Sequence, residues 1–216
     1  MTTLWENFSL FPPHDWLQEL SSAAGIAGDH TAVVACNWSY GLRERSSRKI
    51  ADIVIGFSGP QDHLACYVIE TKRPGGRLAD KDLDPSYYLD MDCIASRAEW
   101  RRLIYCVDEV ERERVAALFR ADPSKYKHCG VVTWAEIAGM QIQLASCLPT
   151  SQAIREFVAG SIQYQFCRHG IRPSTLSHSY LATEHGVVDV ENGIAARYDH
   201  HEPQWTRLTF PTKVAT

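Results

Sequence analysis

The chain has 216 residues, with 22 Lys and Arg against 26 Asp and Glu, and a net charge of −4. That length suits one domain with a real core. Its 45% hydrophobic and 22% charged residues exclude extended disorder, and the slightly acidic balance excludes a wholesale nucleic-acid coat protein, though not a nuclease that gathers basic residues beside a cut site.

The first elements are short and apolar. Pro12-Pro13 ends an N-terminal arm. His14 to Ala24 follows as a helix with Trp16, Leu17 and Leu20 at helical spacing, closed by Gly25 and Gly28. Thr31 to Trp38 reads as a strand, and Gly41 to Ser47 as a polar, basic turn. Lys49 to Phe57 and His63 to Lys72 are the strongest strands, joined by the turn cluster Ser58-Gly59-Pro60-Gln61-Asp62. Both are apolar on both faces, which predicts central strands covered from two sides.

Pro74-Gly75-Gly76 breaks the chain, and Asp84 to Ala98 reads as one helix. Arg101 to Val107 is a strand, Glu109 to Phe119 a charged helix, and Cys129 to Trp134 a buried strand. Ala135 to Ala145 and Ser151 to Cys167 read as helices. Beyond Pro173 the pattern fades, with a hairpin against the main sheet expected within His178 to Phe210. The order predicts an α/β fold: a mixed β-sheet flanked by helices, over residues 1–150, with a C-terminal extension, residues 151–216, on the same domain.

No apolar run reaches the roughly 18 residues of a membrane span. Met1 to Phe8 lacks the pattern of a secretory signal. The seven cysteines are odd in number and include no CxxC, so they read as small hydrophobes in a reducing cytoplasm rather than zinc ligands.

The chemistry is concentrated in Ile50-Ala51-Asp52 and Ile69-Glu70-Thr71-Lys72. Glu70 and Lys72 are two apart on one strand and leave the same face. A turn centred on Gln61 sets Asp52 directly across from Glu70, with side chains within about 5.5 Å. Two carboxylates so close repel one another on an apolar strand pair. A divalent cation between them makes the arrangement favourable, and carboxylates, the Thr71 backbone carbonyl and waters are what Mg²⁺ prefers. Lys72 beside it orients a water or steadies charge on a phosphate. The set describes metal-assisted phosphodiester hydrolysis.

Helix, three strands, helix, strand, with Asp on the second strand and Glu-x-Lys on the third, resembles the PD-(D/E)xK nuclease superfamily, whose fold is restriction-endonuclease-like. The likeness covers about Pro13 to Val107. It implies that Asp52 and Glu70 bind Mg²⁺ (or Mn²⁺) and that Lys72 assists the attacking water. The family's leading Pro is Ala51 here. A Glu on the first helix often adds a metal ligand, which Glu19 fits, with Glu44 as competitor. Some branches use Gln and Tyr on the helix after the Lys; Tyr87 and Tyr88 lie there without a Gln.

Basic residues surround the motif: Arg43, Arg45, Arg48 and Lys49 before it, Arg73, Arg77 and Lys81 after it. As a group they read as phosphate contacts, and Arg73 to Arg77 as a flexible loop over the substrate. Gly56-Phe57-Ser58-Gly59 fails the nucleophile-elbow spacing, because Pro60 stands where the second Gly belongs. His169, His178, His185 and the pair His200-His201 lack convergent partners, and the tryptophans read as core anchors.

The expected function is therefore a cytoplasmic, Mg²⁺-dependent deoxyribonuclease in restriction, repair or mobile-DNA defence. DNA is the expected partner, and no membrane is involved. Residues 151–216 are expected to serve dimerisation, giving a homodimer, or substrate selection. The competing expectation is a non-catalytic module on the same scaffold, binding nucleic acid or protein. Hydrolysis of RNA or a cyclic oligonucleotide is a third.

Overall fold

The computed structural model describes residues 2–28, 30–44, 49–58 and 64–172, and the strand segments 180–183, 186–189, 194–199 and 204–208. Arg45, Arg48, the turn residues Gly59 to Asp62, and His178, His185, His200 and His201 lie outside them.

Five strands form one mixed open sheet in the order β1 (Cys36–Arg43), β2 (Ile50–Ser58), β3 (Leu64–Thr71), β4 (Trp100–Val107), β5 (Cys129–Thr133). The first three pair antiparallel, while β3, β4 and β5 run parallel. The helices are α1 (Thr2–Glu6), α2 (Pro13–Ala23), α3 (Ser86–Leu89), α4 (Asp92–Ala95), α5 (Glu109–Ala121), α6 (Trp134–Ser146) and α7 (Gln152–Arg168).

Alternating side chains give the sheet two apolar faces. Ile53, Ile55, Phe57, Tyr67, Ile69, Ile104 and Val132 pack against Trp5 of α1, Trp16, Leu17 and Leu20 of α2, Ile137 of α6, and Ile162 and Phe166 of α7. Cys66, Val68, Leu103, Tyr105 and Val131 pack on the other face against Tyr88 of α3, Ile94 of α4 and Val115 of α5. Each such Leu, Ile or Phe contributes about 1.5–3 kcal/mol by leaving water, so both layers are fixed to the sheet. The C-terminal helix α7 belongs to the first layer.

Several boundaries differ from the sequence pattern. The first strand is Cys36–Arg43, not Thr31 to Trp38. It is an edge strand with only intermediate or exposed residues, so hydrophobicity marks it weakly. Asp84 to Ala98 is two short helices, because Met91 is extended (φ −61°, ψ 126°) and divides them. Of the two strands expected to be covered on both sides, β3 is; β2 buries Ile53, Ile55 and Phe57 on one face and leaves Val54 and Gly56 half-buried on the other. The C-terminal strands β6 (Tyr180–Thr183), β7 (Gly186–Asp189), β8 (Ile194–Asp199) and β9 (Gln204–Leu208) are not a hairpin on the main sheet. They form an antiparallel sheet of their own, in sequential order.

Among the described residues no helix is long and apolar enough to cross a membrane.

Candidate active site

The pairing of β2 on β3 brings the two acids to the same end of the strand pair, close enough for the charge of Asp52 to act on Glu70. Ile53 lies across from Ile69 and Val54 across from Val68, so Asp52 and Glu70 are the residues that follow at the end of the pairing. The backbone pairing ends there. The Asp52 side chain takes over, its Oδ2 accepting the Thr71 N–H at 2.9 Å and the Thr71 hydroxyl at 3.0 Å. An amide N–H lies in the sheet plane, so the carboxylate reaches across the gap between strands to β3.

A local break in β2 permits this. Ile53, Ile55 and Phe57 face the α2 and α6 layer, whereas Ala51 faces the α5 layer. The alternation therefore changes at Asp52, between the pairs Tyr40–Ile53 and Leu42–Ala51. Gly41, the β1 residue between those pairs, has φ +58°, a conformation that a side chain would strain.

Glu70 is 5% exposed. Burial, then the charge of Asp52, pushes its carboxyl up to about 7, against the opposing pull of Lys72 and the Tyr88 hydroxyl. Lys72 Nζ lies 2.6 Å from Glu70 Oε1 and 2.9 Å from Asp82 Oδ2. Burial pulls the lysine down, but its two carboxylate partners outweigh that and raise it overall. On the parallel neighbour, Tyr105 stands beside Glu70, with a fully buried hydroxyl that has no hydrogen-bond partner among the described residues.

The loop after Lys72 is anchored. Gly75 N–H donates to Asp108 Oδ2 at 2.7 Å, while Asp108 Oδ1 caps α5 by accepting the Glu111 N–H at 2.8 Å. Leu78 N–H donates to Glu111 Oε1 at 2.8 Å, and Arg114 donates to the Leu78 carbonyl. The segment Arg73 to Arg77 is thus tied to α5 rather than loose. From the opposite layer, Trp134 Nε1–H donates to the Lys72 carbonyl at 2.6 Å.

Of the expected site residues, Asp52, Glu70, Thr71 and Lys72 come together. Glu19 does not. It is exposed on α2, in the layer on the other face of the sheet from Glu70, and lines a groove of about 440 Å³ with residues such as Met140 and Cys147. Glu44 is buried, but its Oε1 accepts the Asp92 N–H at 2.8 Å and serves the start of α4. Lys49 Nζ sits 5.6 Å from the Tyr87 ring, one residue from Tyr88. Arg73, Arg77 and Lys81 are exposed along the anchored loop, and Arg43 is exposed at the end of β1. Asp82 and Tyr105 went unread in the sequence: one is hidden in a polar loop, the other in an apolar strand.

Comparison with protein-family models, curated proteins and solved structures gives no match. The site has to be read from its own geometry.

Among the described residues no three His, Cys, Asp or Glu side chains form a metal cage. The donor set nevertheless fits a hard cation that keeps several waters. Two acids lie at the same end of the strand pair, both Thr71 hydrogen bonds fall on Oδ2 of Asp52, and burial beside a second carboxylate disfavours ionised Glu70. A cation favours that same ionised form.

Proposed function

We propose that this protein is a Mg²⁺- or Mn²⁺-dependent nuclease of the PD-(D/E)xK type, with a restriction-endonuclease-like core, that hydrolyses DNA phosphodiester bonds. The observation that carries the reading is Asp52, bonded to Thr71, beside Glu70 at the end of the β2–β3 pairing, with Lys72 two residues on from Glu70 and bonded to it at 2.6 Å. The element order α2, β1, β2, β3, α3 and α4, β4 supports it.

Asp52, Glu70 and the Thr71 carbonyl are the proposed donors for the cation, which when bound would polarise the phosphate and lower the pKa of a water. The Thr71 N–H and hydroxyl hold Asp52 in place. Lys72 keeps a positive charge beside Glu70, where it can orient the attacking water and steady the negative charge that develops on phosphate. Lys49, Arg73, Arg77 and Lys81 offer phosphate contacts near the motif. The Tyr88 hydroxyl faces Glu70 and favours the carboxylate form.

Incubation of the purified chain with plasmid, linear and single-stranded DNA in Mg²⁺ or Mn²⁺ tests the proposal. Cleavage is expected, with D52A and K72A lowering kcat at least 100-fold while remaining folded. DNA binding without cleavage under either metal would favour the non-catalytic module. Preferential hydrolysis of RNA or a cyclic oligonucleotide in competition would keep the chemistry and change the substrate.

A further inference from the structure

We propose that Asp82 is the positioning residue for Lys72, holding its ammonium in register with the two metal-binding acids. This rests on the nuclease reading of the same site. Lys72 lies one residue beyond the end of β3, on a flexible stem whose ordering costs up to about 2 kcal/mol in rotamer freedom. A single acceptor does not define where such an ammonium sits. Here two do, Glu70 Oε1 at 2.6 Å and Asp82 Oδ2 at 2.9 Å. Two of the three N–H donors are then directed, and one is left for water or phosphate.

Asp82 is itself fixed. It is 7% exposed, and its Oδ2 also accepts the Ala79 N–H at 3.1 Å. Its own N–H closes a turn onto the Ala79 carbonyl at 2.8 Å. Leu78 and Leu83 on either side are buried in the core against β3 and β4. A turn of this kind works equally well at the surface, so it does not account for a buried carboxylate. Burying the charge is unfavourable unless it is paired, and its ion-pair partner is Lys72. In the proposed reaction Glu70 serves a cation, and Asp82 is the acceptor left to hold the lysine.

The test uses the full chain with D82N and D82E. For D82N, kcat is expected to fall 10- to 100-fold, with KM for DNA and the half-saturating Mg²⁺ concentration within twofold of wild type; D82E restores part of kcat. A second readout needs neither metal nor DNA. Brief labelling with an amine-reactive ester, followed by mass spectrometry, should modify Lys72 about tenfold faster in D82N, with the exposed Lys125 and Lys127 unchanged as controls for reagent dose and an unchanged Tm as the control for folding. If wild type cuts DNA, either an unchanged kcat or an unchanged Lys72 label in D82N overturns the positioning role and leaves the nuclease standing. If wild type cuts nothing, the nuclease reading falls and the label alone decides whether Asp82 holds Lys72.

Discussion

A single oxygen of Asp52 accepts both the N–H and the hydroxyl of Thr71, at 2.9 and 3.0 Å. The acid is thereby held by the neighbouring strand rather than by its own, and its position depends on the residue between Glu70 and Lys72.

Replacing Thr71 by Val removes the hydroxyl and keeps the N–H. Outer-shell partners of this kind typically change metal affinity by about 10- to 100-fold. With one of two donors left, T71V is expected at the lower end. The half-saturating Mg²⁺ concentration for cleavage should rise about tenfold, and calorimetric Mn²⁺ binding should weaken in parallel. Unchanged metal affinity would remove Asp52 from the metal site.

Glu70 makes stability depend on pH. Its folded carboxyl is raised to about 7 from an ordinary 4.5. Between those values the metal-free fold holds more protons than the unfolded chain, so the contribution of this group falls as pH rises through that window. E70Q removes the buried charge. Urea denaturation in EDTA should show E70Q more stable than wild type at pH 8, by on the order of 2–3 kcal/mol, with the advantage shrinking towards pH 5. The same stability gap at both pH values would contradict the burial of a charge there.

Asp108 does two things with two oxygens, and substitutions separate them. D108A loses both the α5 cap and the tether to Gly75, and should cost about 1–2 kcal/mol. D108N can keep the cap through its amide oxygen, but its NH₂ cannot accept from Gly75. It should therefore retain most of the stability while trypsin cuts several times faster after Arg77, the arginine of this loop that no proline follows. Protease resistance in D108N equal to that of wild type would mean that the tether does not restrain the loop.

Gly130 in β5 lies against the chain just past the end of α2. A methyl group there would meet the Ala24 carbonyl oxygen at 2.5 Å and Ile26 Cδ1 at 2.8 Å. Backbone cannot yield as a side-chain tip can, so G130A should destabilise by about 1–3 kcal/mol, visible as a lower Tm. A neutral substitution would show that the end of α2 moves freely over β5.

Much of this was legible in the sequence. The apolar runs around Ile53 and Val68, with a turn cluster between them, define a register that a one-residue slip would ruin, and so they bring Asp52 beside Glu70. Asp82 was not legible. It sits ten residues past Lys72 and reaches it only because Leu78 and Leu83 pull the loop onto the sheet, a tertiary effect with no local signature. Glu19 was misplaced for a related reason: helical spacing fixes which face of α2 is apolar, but not which side of the sheet the helix covers. Met91 divides an expected helix with an extended backbone and a side chain fully buried in the core, a tertiary placement that local periodicity does not show.

The bond from Trp134 to the Lys72 carbonyl has one more consequence. The residue that begins α6 grips the end of the motif strand from the layer opposite Glu70, so that layer cannot slide without dragging the backbone of the lysine. Harmful variants need not cluster around the site acids: a repacked Ile137 or a loosened α7, in the layer opposite Glu70, would detune the same centre from behind.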